Sequence, residues 1–152
     1  MATIQTFAVA GYDLRADRAY DPDTHLWVEL RDADRARIGF DPLGQETCGD
    51  IVELSFEAPG TEVRRGEAFG NVEAAKFVGP LLSPLGGTLE AVNVELVSNP
   101  MLVNDDPQAH WLVELRLLDA GEADALLRGE EQVAPWFAGE VEHFKRRGAI
   151  AE

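Results

Sequence analysis

The chain has one cysteine, Cys48, so no internal disulfide can form and its cysteine usage does not call for an oxidising compartment. The three histidines, His25, His110 and His143, lie far from one another and from Cys48, and no metal-ligand spacing results. Positive charge is scarce: 13 lysines and arginines stand against 28 aspartates and glutamates, a formal net charge of -15. Such a surface repels nucleic acid and anionic membranes, and partners that dock on it are expected to present basic patches. No apolar run approaches the length of a bilayer crossing, and the opening stretch from Met1 to Ala10 lacks the basic start of a secretory signal. The expectation is a soluble cytoplasmic protein. Nucleotide loop, nucleophile elbow and zinc signature are all missing, as are linkers and low-complexity segments.

What remains is enough for one compact domain over 1–152, because 152 residues with 45% hydrophobic content can bury a core without covalent staples. Short runs rich in β-branched, aromatic or alternating apolar residues predict strands over 25–31, 36–40, 50–56, 68–73, 88–94 and 111–117. Turn residues separate them: Ala58-Pro-Gly60, Arg65-Gly66, Gly79-Pro80 and Gly86-Gly87. Asp41-Pro42 marks a short helix start, with an acidic cap and proline at the first helical position. Gly49-Asp-Ile-Val-Glu-Leu54 is loosely similar to Gly87-Thr-Leu-Glu-Ala-Val92, a hint of two similar halves on either side of residue 76. The last third turns helical. Residues 119–128 form one expected helix stopped by Gly129, and Pro135 to Arg147 a second whose Trp136, Phe137, Val141 and Phe144 share a face against the β-body.

Lys76 is the chemically telling residue. It sits between two glycine-punctuated apolar segments, a layout that presents one amine at the tip of a β-hairpin and suits covalent attachment of a prosthetic group. The alternative from composition alone is an ordinary solvated lysine. Glu73, three residues earlier, is a candidate contact for a modifying enzyme or simply a solvated acid. Cys48 at the entry to a strand fits a small buried hydrophobe better than a nucleophile, and the pairs Asp105-Asp106 and Glu130-Glu131 fit solvated charge.

Spaced motifs around Lys76 resemble one family. His25-Leu-Trp-Val28, Gly49-Asp-Ile-Val52, Gly66-Glu-Ala-Phe-Gly70, Glu73, Ser83-Pro84, Gly87, the stretch Leu102 to Pro107 and Trp111-Leu112 together resemble the H protein of the glycine cleavage system and its lipoyl-carrier relatives, over about residues 20–128. The resemblance implies a mainly β fold with accessory helices: a flattened, hammerhead-like lipoyl/biotinyl-carrier β-barrel with two quasi-similar halves and C-terminal helices. It implies a carrier and not a catalyst, with lipoic acid as a covalent lipoyl amide on Lys76 acting as a swinging arm. A lipoate ligase or a lipoyl/octanoyl transferase would attach it. Amidation removes the lysine charge and adds a dithiolane, thiol chemistry that Cys48 alone does not provide. Biotin carriers flank their lysine with methionines, whereas Ala75 and Phe77 stand here.

The sequence departs from the glycine cleavage pattern next to Lys76. The usual Glu-Ser-x-Lys, small residue, Ser-Asp is replaced by Glu73-Ala-Ala-Lys76-Phe-Val-Gly-Pro80. These departures resemble lipoate-binding proteins of a heterodisulfide-reductase-like sulfur-oxidation system, and that complex is the partner expected first. The second expectation is a divergent glycine cleavage H protein, carrying the aminomethyl group among glycine decarboxylase, aminomethyltransferase and dihydrolipoamide dehydrogenase. An unmodified scaffold module and an enzyme dependent on Cys48 or a histidine stand outside both.

Overall fold

The computed structural model describes residues 4–151, so Met1 to Thr3 of the N-terminal stretch and Glu152 lie outside the described residues. An N-terminal hairpin pairs β1 (Thr6–Val9) with β2 (Tyr12–Arg15). A seven-stranded antiparallel sheet runs in the order β12-β3-β4-β5-β11-β10-β7, from Leu127–Arg128, Ala19–Tyr20, Leu26–Asp32, Arg35–Phe40, Val113–Leu117, Gly87–Val92 and Glu62–Val63. A three-stranded sheet runs β6-β8-β9, from Ile51–Phe56, Ala68–Ala74 and Val78–Leu82. Helices α1 (Pro42–Cys48), α2 (Val94–Ser98) and α3 (Leu102–Asp105) are short, and α4 (Gly129–Arg146) is long.

The layers follow from strand alternation. Leu26 and Val28 of β4 join the core between the two sheets, with Ile51, Leu54, Phe69, Val72 and Leu81 from the smaller sheet. Trp27, between them, points the other way into a second core with Phe7, Leu14, Val133, Phe137 and Val141 from the N-terminal hairpin and α4. The larger sheet is thus sandwiched between the smaller sheet and a layer of α4 plus hairpin. Burial on both faces accounts for the unbroken apolar run Leu26-Trp-Val28. Gly39 lies opposite Trp27 in the register, and a Cβ there would fall 2.3 Å from the indole, so glycine is what admits the ring.

Mainly β architecture with a C-terminal helix holds, but the two sheets are not closed into one barrel: β6 and β9 each leave a free edge. That edge corrects the reading of Gly79-Pro80, which is not a turn but lies inside β9, where an edge strand tolerates the missing N–H. The two loosely similar segments belong to different sheets, in β6 and β10. The C-terminal third also differs from the pattern. Asp119 caps only a 3-10 turn, Ala120–Ala125, by accepting from the Gly121 N–H at 2.9 Å. The chain then pairs as β12, and Gly129, at φ +77°, opens α4 instead of closing a helix. Pro135 therefore lies inside α4. Glu130 and Glu131 in the first turn and the Arg128 N–H bonded to Gln132 start the helix two turns early, and buried Val133 holds that extension down.

Candidate functional site

Strands β8 and β9 pair with Val72 opposite Gly79 and Glu73 opposite Val78, leaving Ala75-Lys76-Phe77 as the reversal. The turn is closed by the Ala74 N–H donating to the Phe77 carbonyl at 2.8 Å. It is also tethered from outside: the Ala75 N–H donates to Asp50 O at 2.9 Å and the Lys76 N–H to Cys48 O at 2.8 Å. With the Ala75 and Lys76 donors satisfied by the last residue of α1 and by Asp50 just after it, the hairpin tip is a fixed platform and not a loose loop. Lys76 is exposed there, as the sequence predicted.

The lysine side chain does not project freely. Its stem lies across Gly49, whose hydrogen stands where a Cβ would meet Lys76 Cε at 3.1 Å, and Gly49 itself holds φ +76° as the C-cap of α1. The ammonium donates to the carbonyl of Ala149 at 3.0 Å. Alongside opens a cavity of about 440 Å³, lined among others by Thr47, Cys48, Phe77, Phe144, Arg147 and Lys76 itself. That volume lies within the roughly 300–1,000 Å³ of small-ligand sites.

One wall of this cavity is His25, and its setting was not foreseen. Nδ1 donates to Asp41 Oδ2 at 2.8 Å and Nε2 to Glu140 Oε1 at 2.8 Å, while Trp136 stacks on the ring at 4.9 Å between centroids. Burial alone disfavours the imidazolium, but the two carboxylates outweigh it and push the His25 pKa up to about 9. Asp41 serves twice, since its other oxygen accepts the Gly44 N–H at 2.7 Å as the N-cap of α1. The helix start at Asp41-Pro42 was readable; its second bond was not. Glu140 lies one turn from both Trp136 and Phe144 on the face of α4 that packs on His25, so a protonated histidine ties that helix to the sheet. His25 adopts φ +59°, a left-handed conformation uncommon outside glycine, which turns the ring towards both acids.

The other sequence candidates separate from this centre. Glu73 is exposed on β8, on the side lined by Glu53, Ser55 and Asn71, away from the cavity. Cys48 lines the cavity half-buried, and burial pushes its thiol up to about 11, partly opposed by the Lys76 charge, so it stays protonated and unreactive. Among the described residues no three His, Cys, Asp or Glu side chains form a cluster that could hold a metal, and no helix is long and apolar enough to cross a membrane.

Residues 18–136 match the family described as Glycine cleavage H-protein. A glycine cleavage system H protein of Mycobacterium leprae is 35% identical over 116 residues, covering 76% of this chain and 87% of its own length. That of Salinibacter ruber is 38% identical over 112 residues, covering 73% and 90%. The crystal structure of a glycine cleavage system H protein from Mycobacterium marinum superposes with a TM-score of 0.70 at 29% identity, over 85% of this chain and 99% of that one. This chain belongs to the glycine cleavage H-protein family. H proteins are carriers with a lipoate covalently attached to a lysine, and the hairpin, the glycine floor and the adjoining cavity fit that group. The expected sulfur-oxidation branch gains nothing here: the relatives are glycine cleavage H proteins, and the altered residues around Lys76 do not move the chain away from them.

Proposed function

We propose that Lys76 bears the lipoyl group and that this H-protein family member carries the aminomethyl group among glycine decarboxylase, aminomethyltransferase and dihydrolipoamide dehydrogenase, in the cytoplasm. The observation that carries the assignment is one of position and number. The sequence has two lysines, Lys76 and Lys145, and only Lys76 lies inside the matched stretch 18–136. It stands on a hairpin whose tip is hydrogen-bonded to the end of α1 and to Asp50 beyond it. Lys145 lies in the last turn of α4, beyond that stretch.

When attached, the lipoyl group supplies the dithiol on which the carried unit rides. The protein supplies the rest. Gly49 leaves room for the stem of Lys76, the cavity walls of Phe77 and Phe144 offer apolar shelter, and the backbone ties of Ala75 and Lys76 fix where the arm is rooted. Lys76 must lose its proton to acylate, and that base belongs to the ligase or transferase, since among the described residues no carboxylate or neutral imidazole is bonded to its amine. The acidic surface offers charge complementarity to partners with basic docking faces.

The test is loading. Lipoylated protein incubated with glycine decarboxylase, its pyridoxal cofactor and labelled glycine is expected to take up label at Lys76, and Lys76→Arg is expected to take up none. Lipoylated protein that remains unloaded while a reference H protein loads refutes the glycine cleavage assignment. The second reading, a sulfur-oxidation carrier, is favoured by the exposed Phe77 and Val78 where the family pattern has small and polar residues. Turnover of the sulfur-oxidising complex with this chain lipoylated, and none without it, would establish that reading.

A further inference from the structure

The chain continues past the family match at residue 136, and its last described residues return to Lys76. Helix α4 ends in a Schellman turn. The Gly148 N–H donates to Lys145 O at 3.0 Å and the Ala149 N–H to Phe144 O at 2.9 Å, with Gly148 at φ +72°. This reversal drops Ile150 into the second core, where it is 7% exposed. Between that anchor and the helix, the Ala149 carbonyl is held facing the hairpin, 3.0 Å from Lys76 Nζ. Phe144 in the last turn of α4 and Arg147 at its C-cap line the same cavity as Lys76.

We infer that the C-terminal turn Arg147–Ile150 is a positioning element for the lipoyl arm: the Ala149 carbonyl receives the arm's root and directs it along the cavity between the hairpin and α4. The inference rests on Lys76 being the attachment site. Acylation removes the charge of the lysine but leaves one N–H on the resulting amide, and one N–H is all that the Ala149 carbonyl needs. The stem keeps its bed on Gly49, so the amide forms with its N–H already aimed at Ala149. The arm beyond it then lies against Phe144 and Phe77 instead of ranging through solvent. A neutral hydrogen bond of ordinary strength, together with apolar contact, shifts the balance between seated and free arm by about threefold to thirtyfold.

The experiment compares three proteins lipoylated in vitro by a lipoate ligase: the full chain, a chain ending at Arg147, and Gly148→Val. A Cβ at Gly148 meets nothing within 4 Å, so the valine strains only the left-handed turn and shifts Ala149 without a clash. The readouts are the rate of reduction of the arm's disulfide by a phosphine and nuclear Overhauser contacts between arm protons and the Phe144 ring. Reduction about threefold or more faster in the shortened chain, with a smaller rise in Gly148→Val and contacts seen only in the full chain, supports the assignment. Equal reduction rates and absent contacts in the full chain overturn it, even though Lys76 is lipoylated. Should the shortened chain not fold, Gly148→Val decides by the same criteria. Failure of all three to become lipoylated at Lys76, with a reference H protein modified alongside, overturns the attachment site itself and the inference with it.

Discussion

The His25 clamp makes a stability prediction that follows from geometry and sign. His25 is 8% exposed and bonded on both nitrogens to carboxylates, one from the entry to α1 and one from α4. Its pKa rises from the ordinary 6.5 to about 9 in the folded chain. A folded value above the unfolded one means that the proton stabilises the fold: the contribution is complete below pH 6.5 and is lost as pH climbs through about 9. At about 1.4 kcal/mol per pH unit, the loss amounts to about 3 kcal/mol, a large part of a domain's total. Urea unfolding across that range is the assay, with His25→Asn as reference, because asparagine tolerates the left-handed backbone at this position. Cys48 pulls the same way above its ordinary 9.0, since burial keeps it neutral in the fold, and the reference variant retains it. The wild-type chain is expected to lose about 3 kcal/mol more than His25→Asn over the window, and Glu140→Gln to show a smaller loss that sets in at the same pH but is complete at a lower one. Parallel stability curves for wild type and His25→Asn would refute the protonated clamp.

Two further predictions come from the same corner of the fold. Gly49→Val forces a β-branched residue to φ +76° beside the Lys76 stem and is expected to cost about 1–3 kcal/mol in urea unfolding; an unchanged midpoint contradicts the close approach. Cys48, with its thiol pushed up to about 11, is expected to react with iodoacetamide at pH 8 about a hundredfold more slowly in the native chain than in urea. Similar rates in the two states would contradict its burial.

The β-body was legible because its signals are local. Alternation and turn residues located the strands around 26–32, 35–40, 51–56, 68–74, 87–92 and 113–117 to within about two residues. Of the strands that were not foreseen, β3, β7 and β12 are two residues long and exist only through their neighbours in the sheet, whereas β1, β2 and β9 are longer, and β9 was hidden by the turn signal of Gly79-Pro80. Gly129 and Pro135 misled for a related reason: each has a strong local preference that the tertiary setting of α4 overrides. At the site, Lys76 and its hairpin could be read from spacing. The partners that shape it could not. Glu140 reaches His25 across 115 positions of sequence, and Ala149 acts through a backbone carbonyl, which carries no side-chain signature at all. The pathway expectation leaned on the residues flanking Lys76, whereas the similarity over residues 18–136 is to the glycine cleavage H-protein family.

The most direct test of the central claim is intact mass spectrometry with peptide mapping on the chain co-expressed with its own lipoylation machinery. A single lipoyl or octanoyl adduct is expected on the peptide containing Lys76 and none on Lys145. An unmodified Lys76, a biotin adduct there, or an adduct on Lys145 would contradict it.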